Sequence, residues 1–216
     1  HLAMDIGAAC AGFTTAIAIA DSLIKQHGYG PFAVVGVEKL SRMVDYKDKN
    51  SPLFGDGAGA VIMGRGEDNT RGVVNTEGKS NPFEKRARWI YRDSKGYLRM
   101  PYGTEVLREA TRELTDISQK LISNLLANGT TWEDKGIDQA IFHQANIRIL
   151  QAVQKRLRLT DDQMFRNIEK YGNMSSASAA VALSEAYEQG KIKPGSKVIM
   201  ACIGSGMVTS AVAFID

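Results

Sequence analysis

The chain has 216 residues, 44% hydrophobic and only 24% charged, which allows a substantial core in one compact domain or two tightly fused halves and excludes a disordered chain. Its net charge of +3 comes from 27 basic and 24 acidic residues, largely interleaved, so no block is basic enough for a dedicated nucleic-acid binder. The only cysteines, Cys10 and Cys202, lie in apolar or small-residue stretches without metal-ligand spacing, which points to a reducing, cytoplasmic setting and no bound metal.

In chain order, His1 to Ile6 reads as the end of an apolar strand already under way. The chain is therefore expected to be a fragment whose functional form includes a preceding α/β segment, and to be aggregation-prone and inactive when expressed alone. Cys10 through Gln26 is rich in Ala, Ile and Thr with almost no charge before Asp21, which suits a helix buried on most of its circumference and stopped by Gly28 and Gly30. The longest apolar run, Ala8 to Ala20, has 13 residues. That is short of the roughly twenty needed to cross a bilayer, and neither a membrane segment nor a signal peptide is expected. Phe32 to Val37 is a continuous apolar run, as in a strand covered on both faces. After a loop carrying Asp45, Lys47, Asp48, Lys49 and Pro52, the glycine-dense Phe54-Gly55-Asp56-Gly57-Ala58-Gly59-Ala60 feeds a second buried strand at Val61-Ile62-Met63. It lacks the trailing Gly-Lys-Ser/Thr of a phosphate-binding loop and precedes a strand instead of a helix, so close backbone packing is its expected role. Residues 64–103 are polar, irregular and hairpin-like.

From Thr104 to Asn128 the apolar positions Leu107, Ala110, Leu114, Ile117, Leu121 and Leu125 recur at steps of three and four, one face of a long helix ended by Gly129. Ile137 to Phe142 gives a strand, Ala145 to Leu157 a helix and Ser175 to Gln189 a small-residue helix. Lys197 to Ile203 is a strand turning at Gly204-Ser205-Gly206, and Met207 to Ile215 is the last strand. Asn128-Gly129-Thr130 and Asn173-Met174-Ser175 fit the glycosylation pattern, which a chain without a secretory signal is not expected to use. Two stretches share a plan: Cys10 opens a helix followed by the Val34 strand 24 residues on, and Asn173 precedes a helix followed by the Val198 strand 25 residues on. Two related α/β halves with mostly parallel sheets are expected, their helices starting near a common centre.

Cys10 sits where a strand meets an uncharged helix, so free backbone N–H groups should lower its thiol pKa, and its small neighbours admit a substrate. The residue by itself also fits an inert core thiol. His143, delivered by Ile141-Phe142 into a polar sequence, fits a functional imidazole or a capping or surface one. Asn173, in a loop of hydroxyls and small side chains, fits a hydrogen-bond donor or an ordinary N-cap.

Taken together, Asp5-Ile6-Gly7-Ala8-Ala9-Cys10-Ala11-Gly12-Phe13, Phe54 to Ala60, His143-Gln144-Ala145-Asn146-Ile147-Arg148 and Tyr171-Gly172-Asn173-Met174-Ser175 resemble the ordered motif set of the β-ketoacyl-acyl-carrier-protein synthase III family over essentially the whole chain. The resemblance implies an α/β thiolase-like fold of two related halves in a layered αβαβα arrangement, residues 1–65 carrying the nucleophile and 66–216 the histidine and asparagine. It implies that Cys10 takes an acyl group from a coenzyme A thioester. His143 and Asn173 would then hydrogen-bond the thioester oxygen of malonyl-acyl carrier protein as it loses carbon dioxide, two neutral donors aimed at developing charge. By the same analogy the backbone N–H groups of Cys10 and Gly206 form an oxyanion hole. Arg148 and Lys155 form a basic patch for the acidic carrier protein, and Lys49 contacts coenzyme A phosphates. Coenzyme A thioester and carrier protein are substrates in this reading, with no resident cofactor or metal, and a cytoplasmic homodimer is implied.

The chain departs from the family pattern at Ile203-Gly204-Ser205-Gly206-Met207-Val208-Thr209-Ser210, where a glycine triplet, an aromatic and a Thr-Trp-Gly segment are usual. It also departs at Met174 and at Pro101-Tyr102-Gly103, changes that bear on the acyl substrate. Three alternatives remain at this level: a paralogue condensing an unusual starter for a secondary metabolite or vitamin precursor, a non-catalytic thiolase-fold partner, and a Cys-His-Asn hydrolase.

Overall fold

The structure, a computed structural model, describes residues 2–66, 70–81, 89–127 and 136–216. Gly129 and the Asn128-Gly129-Thr130 motif lie outside the described residues, as does His1.

Residues 2–8 form no strand, contrary to the reading of His1 to Ile6. A strand is defined by its ladder partner, and none of the described residues pairs with this segment. Helix α1 (Gly12–His27) ends at Gly28, whose φ of 67° suits glycine and whose N–H bonds the Ile24 carbonyl. Strands β1 (Phe32–Lys39) and β2 (Asp56–Met63) form an antiparallel pair registered from Phe32↔Met63 to Lys39↔Asp56. Their inner face packs on α1 and on helix α5 (Ala177–Glu188). The outer face carries Ala33, Val35, Val37, Ala58, Ala60 and Ile62, with Val35 55%, Val37 66% and Ile62 73% exposed. β1 is thus covered on one face among the described residues, not on both as its apolar run implied.

The second sheet has five strands in the order β3-β9-β8-β6-β7, from β3 (Gly72–Ser80), β6 (Gln139–Phe142), β7 (Met164–Phe165), β8 (Lys197–Gly204) and β9 (Val208–Ile215). The hairpin of β4 (Tyr91–Arg92) and β5 (Leu98–Arg99) stands apart. The five-stranded sheet is mixed, where mostly parallel sheets were expected. β6 runs parallel to β7 and β8, but β9 is antiparallel to β8 and β3. The cause is the short Ser205–Met207 connection, which only an antiparallel neighbour accommodates; β6 reaches β7 through helix α3 (Ile147–Leu157), a crossover that permits parallel pairing.

Alternate residues of β8 and β9 divide between two cores. Ile199, Ala201, Ile203, Ala211 and Ala213 meet α3 and the long helix α2 (Gly103–Ala127) on one side. Val198, Met200, Cys202 and Val212 meet α1 and α5 on the other. The layers run small sheet, α1 with α5, large sheet, α2 with α3. The short helix α4 (Ile168–Tyr171) leads into the Asn173 loop.

Candidate active site

Helices α1 and α5 both begin at the seam between the two sheets, and the three candidate residues meet there. Cys10, His143 and Asn173 line one apolar cavity. Its other walls are Leu53 and Phe54 before β2, Ile90 and Met100 flanking the hairpin, Val106, Leu107 and Ala110 of α2, and Ile203 to Ser205 with Met207.

Cys10 lies in a single 3-10 turn, Ala9–Ala11, directly ahead of α1. The preceding Ala9 has φ of 46°, a left-handed conformation costly for a residue with a Cβ and of the kind that concentrates at functional sites. Gly204 makes room for this turn, since a Cβ there would overlap the Ala8 carbonyl and come within 3.1 Å of the Cys10 nitrogen. A position at a helix start implies a lowered thiol pKa; instead burial pushes it up to about 11, opposed by a contact from Ser175 that lowers it, with Glu38 adding a smaller upward push. Desolvation outweighs the local dipole because the cavity is walled by apolar side chains. Cys202 is fully buried in the core between α1, α5 and the large sheet, and burial pushes its thiol to about 12. It is not among the cavity walls.

His143 follows β6 directly, and its N–H is held by the Ala201 carbonyl of the neighbouring β8 at 2.9 Å. Its ring is 2% exposed, Nδ1 has no partner among the described residues, and burial lowers its pKa to about 4, so it is neutral at physiological pH. Gln144 fixes the turn: its Nε2 donates to the Phe142 carbonyl and its Oε1 accepts from the Asn167 N–H. Asn146 then caps α3 by accepting from the Arg148 N–H at 2.9 Å.

Asn173 is clamped on both sides of its peptide, its N–H donating to the Leu53 carbonyl at 2.8 Å and its carbonyl accepting from the Gly55 N–H at 2.9 Å. Its Oδ1 accepts from the Ser175 N–H at 2.8 Å, which leaves the Nδ2 amide as the group it can donate toward the cavity. The glycine-dense strand makes this approach possible, as its expected packing role required. A Cβ at Gly55 would overlap the Tyr171 carbonyl, one at Gly57 the Met174 side chain, and one at Gly36 would lie 2.9 Å from the Ser176 carbonyl. Glu38 of β1 fixes the same loop by accepting from both the N–H and the hydroxyl of Ser176, at 3.3 and 2.7 Å. Glu38 gives no signal in the sequence because its partner is 138 residues away; the apolar walls Ile90 and Met100 lie within the polar, irregular stretch 64–103.

Gly206 lies between Ser205 and Met207, both of which line the cavity. Arg148 and Lys155 are exposed on α3, seven residues apart and so on one helical face, and Lys49 is exposed on the loop before Ser51; none of the three is among the cavity walls. Among the described residues no group of three or more His, Cys, Asp or Glu is placed to hold a metal ion, and no helix is long and apolar enough to cross a membrane.

Comparison with known proteins matches residues 4–82 to the sequence model described as 3-oxoacyl-acyl-carrier-protein (ACP) synthase III and residues 126–215 to that of its C-terminal part. The chain is 38% identical over 211 residues to β-ketoacyl-acyl-carrier-protein synthase III of Aquifex aeolicus, covering 97% of this chain and 65% of that protein. The Oceanobacillus iheyensis protein of the same name is 39% identical over 213 residues, again with 65% of its length covered. The chain thus spans about 65% of the length of these curated relatives. The crystal structure of 3-oxoacyl-acyl-carrier-protein synthase III from Aquifex aeolicus superposes with a TM-score of 0.90 at 37% identity, over 99% of this chain and 67% of that one. The fold is thiolase-like, in keeping with the reading from motifs.

Proposed function

Because the chain belongs to the 3-oxoacyl-acyl-carrier-protein synthase III family, we propose that it forms the catalytic part of a decarboxylating acyltransferase that begins fatty acid synthesis. The observation that carries the reading is the meeting of Cys10, a neutral His143 and a donor-oriented Asn173 in one apolar cavity. In the first half-reaction the Cys10 sulfur attacks the carbonyl of an acyl-coenzyme A, and coenzyme A leaves with the thiol proton. In the second, malonyl-acyl carrier protein loses carbon dioxide, and the resulting enolate oxygen is held by His143 and the Asn173 amide. The enolate carbon attacks the acyl-Cys10 carbonyl, whose oxyanion the backbone N–H groups of Cys10 and Gly206 receive. The Cys10 thiolate leaves, takes a proton and is restored, and a 3-oxoacyl-acyl carrier protein departs. Neutral donors suit this step because an imidazolium would need a charge that the dry cavity disfavours.

The reading makes coenzyme A thioester and carrier protein substrates instead of resident cofactors, and extends to a cytoplasmic homodimer. The exposed pair Arg148 and Lys155 on α3 serves the acidic carrier protein, and Lys49 the coenzyme A phosphates. Intact-protein mass spectrometry of the full-length protein exposed to a panel of acyl thioesters should show one acyl mass added, absent in Cys10→Ala. A label retained in that variant, or found on Cys202, would refute the assignment. Arg148→Glu should raise KM for carrier-bound malonyl while leaving acylation by coenzyme A thioesters within about twofold, and added salt should mimic it; unchanged kinetics with the carrier substrate would return Arg148 to an ordinary solvated face.

A further inference from the structure

Arg99, at the end of the β4–β5 hairpin, faces three carboxylates from two separate segments. Its Nε lies 2.7 Å from Asp93 of the hairpin turn, Nη1 3.2 Å from Asp48 and Nη2 3.0 Å from Asp45, both on the loop after β1. In each case the aspartate gives Oδ2 to the guanidinium while Oδ1 fixes its own turn. Asp45 accepts from the Lys47 N–H, Asp48 from the Asn50 N–H, and Asp93 from the Lys95 and Tyr97 N–H groups. One backbone bond reinforces the junction, from the Leu98 N–H to the Met43 carbonyl at 2.6 Å. A planar, five-donor guanidinium can serve three acceptors at once; an ammonium cannot reproduce that fork.

The two segments so joined continue directly into the cavity. Met100 follows Arg99, Ile90 precedes β4, and the loop runs on to Leu53 and Phe54, all four lining the space beside Cys10. Phe54 also bridges to Asn173, and the Ile90 carbonyl accepts from the Ser205 hydroxyl at 2.9 Å. Without Arg99 three carboxylates would face one another across the junction, and the hairpin wall would part from the loop wall.

We propose that Arg99 is a positioning residue that closes the outer wall of the cavity, so that binding of the acyl thioester depends on its charge network while the thiol's own chemistry does not. This rests on Cys10 being the acyl acceptor. The test compares Arg99→Gln, Arg99→Lys, Asp45→Asn/Asp48→Asn and the Gln variant combined with the double Asn change, in the full-length protein. Acyl-coenzyme A loading and alkylation of Cys10 by iodoacetamide are followed by mass spectrometry. Arg99→Gln should raise KM for the acyl thioester about tenfold with kcat little changed, Arg99→Lys should lie between it and wild type, and alkylation should stay within about twofold. The combined variant should lose little beyond Arg99→Gln alone, because both changes break one network. An unchanged KM, equal losses in loading and alkylation, or losses that multiply in the combined variant would each overturn the proposal. If Arg99→Gln fails to fold, Asp45→Asn/Asp48→Asn must show the KM rise alone, and an unchanged KM there overturns it. Failure of the wild type to load any acyl group while still alkylating would refute the functional reading itself, a distinct outcome.

Discussion

An asparagine amide offers one acceptor and two donors, and at Asn173 the Ser175 N–H has claimed the acceptor. Burial does the complementary thing at His143, holding the imidazole neutral with a value near 4. Both groups are therefore set to donate without carrying charge, which suits an oxygen that becomes anionic only during reaction. His143→Ala and Asn173→Ala should cut malonyl decarboxylation by about 10²–10³ while slowing the initial acylation of Cys10 far less. Separate assays of carbon dioxide release and acyl-enzyme formation check this. Equal loss of both half-reactions would mean that His143 acts mainly as a base for the thiol, whose raised pKa leaves little thiolate at neutral pH.

The secondary-structure elements differ in how far their sequences announce them. α2 was legible because its apolar residues repeat at helical spacing, and Leu114, Leu121 and Leu125 are indeed within 1% of full burial. The glycine-dense strand was legible in purpose as well as place: at Gly59 a Cβ would stand 2.8 Å from the Ala180 Cβ and 2.9 Å from the Ala180 carbonyl carbon of α5. Gly59→Ala should therefore cost about 1–3 kcal/mol through overpacking, whereas Gly78→Ala, with open space around it on β3, should be close to neutral. Urea midpoints of the two variants decide it, and equal midpoints would remove close packing as the reason for the glycine. What pattern could not reveal were features set by distant partners: that among the described residues nothing pairs with residues 2–8 or covers the outer face of β1, and Arg99, whose acceptors Asp48 and Asp45 lie 51 and 54 residues away. That Cys10, His143 and Asn173 line one cavity was legible because four motifs in family order constrain one another, though the direction of the thiol's pKa shift was not, since it depends on how completely the walls close.

For the molecule as a whole, the buried His143 and Cys202 and the part-buried Cys10 link stability to pH. His143 has a folded value near 4 against an ordinary 6.5, so between these limits the unfolded chain binds more protons and stability falls on acidification through that window. Cys10 is the mirror case: with 9.0 raised to about 11, the unfolded chain loses its proton first and stability falls as pH rises from 9 toward 11, Cys202 adding to the same trend. Denaturant midpoints across pH should form a plateau between these arms, and His143→Gln should flatten the acid arm; an unaltered arm would show that other groups dominate. The same centre also draws on sequence from far apart. Gly204 lies behind the Cys10 turn, Ser175 beside it, and Thr14 on the next turn reaches the Ser210 carbonyl 196 residues away. Closing such long loops costs chain entropy that only the finished sheet offsets. During synthesis the thiol leaves the ribosome long before β8 and β9 do, and until they emerge it has no cavity around it. A nascent chain thus carries the cysteine well before it carries the walls, and the acyl loading proposed above would wait for translation of β8 and β9.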